Sequence, residues 1–229
     1  MPRTSQTGRR IIVQISNDAF LMMAFSAAEA AIVTPEFQKA SYKLLAAWEK
    51  ERGATPIRKA EVPPTLVFSE TGHEVGGVLF GRMTRERDGI HFSAERALTT
   101  SAIASDDGLA QSDISPSLLA DLSEAAGEPW GTVIADWHAH PLLDALPRDI
   151  EAHQLYSPSE LDLEGTKPPH CEVSVIITVA WAGRSKPKNS NSPGLVYRRI
   201  GDFAFYVTVF SRDDSCSVPG STFEISVGT

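Results

Sequence analysis

Trp137-His138-Ala139-His140-Pro141 stands at the end of the apolar strand expected over Thr132–Trp137. On an extended chain, residues two apart point the same way, so the two imidazoles can converge on one point. Neutral imidazole is a good zinc ligand, and two such rings at one strand end make half of a tetrahedral site. A second group is Pro158-Ser159-Glu160-Leu161-Asp162. Its ordinary reading is a helix start capped by Ser159; its chemical reading puts Asp162 on the same face as the Ser159 hydroxyl, offering a third ligand. The third is Glu74, just before the glycine-bearing apolar run Val75–Gly81. A carboxylate there is either a solvated acid at a strand start or a general base beside a metal-bound water.

Other chemistries find less support. The glycine pair Gly76-Gly77 has neither a following Lys-Ser/Thr nor the G-x-G-x-x-G spacing of phosphate loops. The chain has no G-x-S-x-G elbow and no H-E-x-x-H helix. His170 and Cys171 are adjacent, and neighbours on a strand face opposite ways, which argues against a nucleophile pair. His73 neighbours Glu74 without spacing logic, and His91 and His170 read as structural. Arg184, Lys186 and Lys188 read as a solvated basic loop.

Taken together, Glu-x-x-Gly-x-Leu-x-Gly, then His-x-His-Pro, then Ser-x-x-Asp resembles the signature of the JAMM (MPN-domain) metalloprotease family. The pattern falls on Glu74, Gly77, Leu79, Gly81, His138, His140, Pro141, Ser159 and Asp162. The Trp-His-x-His-Pro form looks most like the prokaryotic JAB subgroup, and the resemblance covers about Thr65 to Arg212. It implies a cytidine-deaminase-like fold, a curved mixed β-sheet flanked by helices. It also implies one zinc per chain on His138, His140 and Asp162, with Glu74 moving the proton. Ser159 would donate to the developing oxyanion, an effect typically worth about 2.7–4 kcal/mol.

The substrate implied is an amide bond after the C-terminal Gly-Gly of a ubiquitin-like protein, in deconjugation or precursor processing. A bacterial conjugation or antiviral defence pathway is the implied setting. Two alternatives stay open: an MPN scaffold that binds partners without catalysis, and a zinc amidohydrolase acting on a small or unrelated peptide.

The chain departs from the family in one place. Between His140 and Ser159 lie 18 residues, where the family usually leaves a much shorter gap. Either Pro141–Pro158 holds an inserted loop, able to gate substrate, or Ser159-x-x-Asp162 is a chance match. In the second case Asp144, Asp149 or His153 would stand in for Asp162. The helix-start grammar favours the insertion, and loop length costs little closure entropy.

The 229 residues carry 29 acidic and 21 basic side chains, a formal charge of −8. Such a surface repels phosphate backbones and speaks against a dedicated nucleic-acid binder. Two cysteines, Cys171 and Cys216, are too few for a disulfide framework and fit a reducing compartment, hence an expected cytoplasmic location. The apolar stretch Ala19–Val33 contains Glu29 and falls short of the roughly 20 residues a membrane span needs.

The elements expected are a strand over Ile11–Ile15, a helix over Asp18–Ala31 capped by Asn17 or Asp18, and a second helix from Thr34-Pro35-Glu36 to Gly53 with Phe37, Leu44, Leu45 and Trp48 on one face. Strands follow over Thr65–Phe68, Val75–Met83 and Ile90–Leu98, and a helix opens at Ser115-Pro116. Thr132–Trp137 and Glu172–Trp181 are strands, and Leu195–Ile200 pairs with Phe203–Phe210 through Gly201-Asp202. The expected organisation is an α/β fold: residues 1–60 as an N-terminal strand and helical extension packed on the core, and residues 61–229 as the metalloprotease-like domain.

Overall fold

The computed structural model describes residues 9–33, 74–100, 131–143, 145–164, 172–182, 189–211 and 222–228. Its strands are β1 (Arg10–Ile15), β2 (Gly76–Arg85), β3 (Gly89–Thr100), β4 (Thr132–Pro141), β5 (Val173–Trp181), β6 (Ser190–Ser192), β7 (Leu195–Ile200), β8 (Phe203–Phe210) and β9 (Thr222–Val227). The helices are α1 (Asn17–Val33), α2 (Pro147–His153) and α3 (Glu160–Glu164).

Among the described residues these strands make one mixed sheet in the order β6-β7-β8-β5-β4-β2-β3-β1-β9. The sheet curls until its two ends meet, giving a nearly closed barrel. Arg198 on β7 spans the gap, its Nη2 donating to the Val227 carbonyl of β9 at 2.7 Å.

The centre of the sheet is its most apolar part. β5 is buried from Val173 to Ala180, and β4 from Val133 to Pro141. The two run parallel, with His138 opposite Ile176 and His140 opposite Thr178. A strand covered on both faces reads as a continuous apolar run, as both do here. The expected hairpin is present, Ile200 facing Phe203 and Leu195 facing Thr208.

Helix α1 fills the inner face. Its Ala19, Met23, Ala24, Ala27 and Ala31 are fully buried, and Phe20 meets Phe205 of β8 edge-on at 6.0 Å. Alanines along that face let the helix lie close to β3, β4 and β5. The cap is Ser16 rather than Asn17 or Asp18. The Ser16 hydroxyl accepts from the Ala19 amide at 3.1 Å and donates to the Glu95 carbonyl at 2.8 Å. Asp18 is drawn outward to Arg96 at 2.7 Å. No described helix is long and apolar enough to cross a membrane.

Of the expected N-terminal strand and helical extension, residues 10–33 are described, and they form β1 and α1. β1 lies inside the sheet, parallel to β3 on one side and β9 on the other. Its Ile11, Val13 and Ile15 belong to the main core. Residues 10–33 are therefore integral to the sheet, because a parallel partner on each side satisfies the backbone of β1 and buries its apolar residues. The expected second helix, the strand Thr65–Phe68 and the helix at Ser115 lie outside the described residues.

Candidate metal centre

Both histidines stand on β4, which runs four residues further than the expected Thr132–Trp137 and carries them inside the sheet. They point to the face opposite α1, where His138 is 8% and His140 6% exposed. Their partners across the sheet explain how they are held. Trp137 and Ala139, pointing the other way, are locked in the main core. Phe210 of β8 stands edge-on to the His138 ring, with centroids 6.4 Å apart.

Asp162 arrives from a different element. Ser159 opens α3, its Oγ accepting from the Asp162 amide at 3.1 Å, and the Ser159 amide donates to Asp162 Oδ2 at 2.6 Å. This reciprocal cap is what the Ser-x-x-Asp spacing predicts. It also turns the carboxylate toward β4. Asp162 Oδ1 lies 2.9 Å from His138 Nε2, and Oδ2 lies 3.4 Å from His140 Nε2. The two Nε2 atoms are 3.1 Å apart.

Asp162 offers a different oxygen to each ring, and the Nε2–Nε2 separation of 3.1 Å is the one that compares directly with an edge of a zinc tetrahedron. With metal–ligand distances near 2.0–2.1 Å, the edges of a tetrahedron around zinc measure about 3.3 Å. Among the described residues, His138, His140 and Asp162 form the group whose ligand atoms all lie within 4.8 Å of one another, so they could hold a metal ion. The donor chemistry agrees. Burial by itself would raise the Asp162 carboxyl, but hydrogen bonds with the His138 and His140 rings outweigh it and hold the carboxyl well below the usual carboxylate range. The group is a charged carboxylate aimed at two ring nitrogens.

Glu74 lies just before β2, the strand that pairs with β4. Gly76 is opposite His138 in the antiparallel pairing of β2 and β4. The Ala139 amide donates to the Val75 carbonyl at 2.8 Å, so the same register continues outward. Glu74 stands one residue before Val75, ahead of the start of β2. Glu74 is 9% exposed. Gly76, facing His138, carries no side chain over the ring; a Cβ there would stand 2.8 Å from the Trp137 carbonyl and 3.4 Å from His138 Cβ.

Of the five residues singled out from sequence, His138, His140 and Asp162 converge, Ser159 caps the helix that bears Asp162, and Glu74 is the residue before Val75, whose carbonyl accepts from the Ala139 amide of β4. Of the alternative third ligands, Asp149 turns back to the Leu146 amide at 3.4 Å, His153 is exposed at the end of α2, and Asp144 lies outside the described residues. His73, His170, Cys171 and Cys216 also lie outside them. His91 is in β3, away from the cluster.

Sequence reasoning missed α2. The stretch Pro141–Pro158 was expected to be irregular, yet Pro147–His153 is helical and rests on Ile150, which is fully buried. The available signal was Pro147 at the first turn with Asp149 beside it. No family model matches the chain, and no curated protein matches it in sequence.

Proposed function

We propose that this chain is a zinc-dependent amide hydrolase of the JAMM (MPN) type, with the cytidine-deaminase-like fold of that family, acting after the C-terminal Gly-Gly of a ubiquitin-like protein. The observation that carries the reading is the convergence of two β4 imidazoles and the α3 carboxylate.

His138, His140 and Asp162 would hold the ion. When bound, zinc is a Lewis acid that lowers the pKa of a coordinated water to about 7. Glu74 accepts a proton at its carboxylate and returns it to the leaving amine, a role that requires it close to the site without being a ligand. Ser159 Oγ accepts from the Asp162 amide and keeps its own proton for the substrate oxyanion. A Gly-Gly tail is the peptide whose backbone approaches a metal centre most closely. The partner is then a ubiquitin-like protein or its conjugate, in a bacterial conjugation or defence pathway.

The test has two stages. Elemental analysis of wild type, His138→Ala and Asp162→Ala is expected to give near one zinc per wild-type chain and clearly less in both variants as purified, Asp162→Ala keeping only the weaker, still titratable affinity of the two histidines. Zinc retained by Asp162→Ala at the wild-type level would move the third ligand elsewhere, and no zinc in a reloaded wild type would overturn the reading. Cleavage is then measured on a ubiquitin-like protein extended beyond Gly-Gly. Zinc without that cleavage would turn the reading toward a small or unrelated peptide substrate.

A further inference from the structure

We infer that Tyr206 is a positioning residue for Asp162, acting through α2 and the run into α3. The inference rests on the metal reading for its consequence, but its geometry stands without an ion.

The segment between the second histidine and Ser159 builds a second apolar cluster on the ligand face of the sheet. Leu142, Ala145 and Ile150 pack there with Ala180, Ala204, Tyr197 and Tyr206, and Leu155 and Tyr156 close its edge. Tyr206 contacts both ends of that segment. Its hydroxyl shares one proton between the Pro147 carbonyl at 3.3 Å and Glu151 Oε1 at 3.2 Å, on the first and second turns of α2. Its ring stacks on Tyr156, three residues before Ser159, at 6.1 Å and 13°.

The sheet ties this pin to the ligands. His140 is opposite Thr178, and Thr178 is opposite Tyr206, in one row on one face. Two strand spacings, about 10 Å, separate the second ligand from the pin. Burial raises the Tyr206 hydroxyl far above its ordinary value, so it remains a neutral donor at any working pH.

Asp162 needs such support. It rides on a helix of five residues, well below the length at which a helix is stable alone. Leu163 beside it is 51% exposed. The place of Asp162 relative to β4 is therefore inherited from the chain before it, and Tyr206 is where that chain is fastened to the sheet. The segment is a bracket for the third ligand, in contrast to the gating loop the sequence suggested.

Zinc affinity is measured by competition titration for wild type, Tyr206→Phe, Asp162→Ala and the double variant, with amide exchange of Leu163 in the metal-free protein. The Leu163 amide donates to the Ser159 carbonyl at 3.2 Å and reports the first turn of α3. Tyr206→Phe is expected to weaken zinc binding about tenfold, and less than about twofold when Asp162 is already alanine. Leu163 exchange is expected to quicken about tenfold. Ile150→Val, which trims the α2 anchor by one methyl, should move both readouts the same way. Equal fold-changes in both backgrounds, or unchanged exchange, would overturn the inference. A wild type that holds no zinc sinks the metal reading, and exchange alone then decides: faster in Tyr206→Phe upholds the bracket, unchanged rejects it.

Discussion

Ser159 and Asp162 cap each other, one amide donating to the carboxylate at 2.6 Å and the other to the hydroxyl at 3.1 Å. The same two contacts close the first turn of α3 and fix the direction in which Asp162 faces β4. A residue pair that reads as ordinary helix grammar is here also the geometry of a ligand.

Ser159→Ala should therefore do two things. Loss of the cap should cost about 1 kcal/mol of stability, and it should weaken zinc binding because Asp162 loses its orientation. Ser159→Thr keeps the acceptor and is expected to recover both. Urea unfolding and zinc titration on the same samples check this; an alanine variant that binds zinc as well as wild type would separate the cap from the ligand.

Metal should stabilise the fold, since the three ligands meet only in the folded chain. Free zinc at about 100 times its dissociation constant is expected to add about 2.7 kcal/mol to wild type. A chelator should reverse the gain, and His140→Ala should show almost none. Thermal melts with and without zinc read this out. An equal shift in His140→Ala would place binding elsewhere.

Glu74→Gln should leave zinc content at the wild-type level, because Glu74 is outside the ligand triad. Cleavage should fall by about 10²–10⁴-fold, the usual contribution of a positioned proton carrier. Loss of zinc in this variant would make Glu74 a ligand instead.

The β1–β9 pairing should show an acid-sensitive component. Arg10 holds Glu224 through two contacts of 2.7 Å. The Arg10 hydrogen bond lowers the Glu224 carboxyl, and the same bond raises the Arg10 guanidinium. A depressed carboxyl contributes stability that is present above its unfolded value and lost as pH falls through the folded one. The raised guanidinium would release its share only in strong alkali. The stability gap between wild type and Glu224→Gln should therefore be small, because both groups are exposed, and should close as pH falls below the ordinary glutamate range. Denaturant midpoints across that range test it, and a gap that widens on acidification would assign the pH dependence to other groups.

Much of the site was legible because it is locally encoded. The period of two that aims His138 and His140 together is a property of any strand, and the Ser-x-x-Asp cap is a property of any helix start. The hairpin Leu195–Phe210 and the buried strand Val173–Trp181 follow from alternation and apolar runs in the same way. Tertiary structure decided which of these pieces meet. Nothing within reach of Asp162 along the chain selects the β4 histidines over other partners; packing of α2 on Tyr206 and Ile150 does. The strand β1 reads alike as an extension or a core strand, since an apolar pattern states that a face is buried and never names its neighbour. Strand order and the meeting of β9 with β7 are long-range choices made by the curl of the whole sheet. Local patterns fixed how each residue faces, and only the assembled sheet could bring them within about 3 Å of one another.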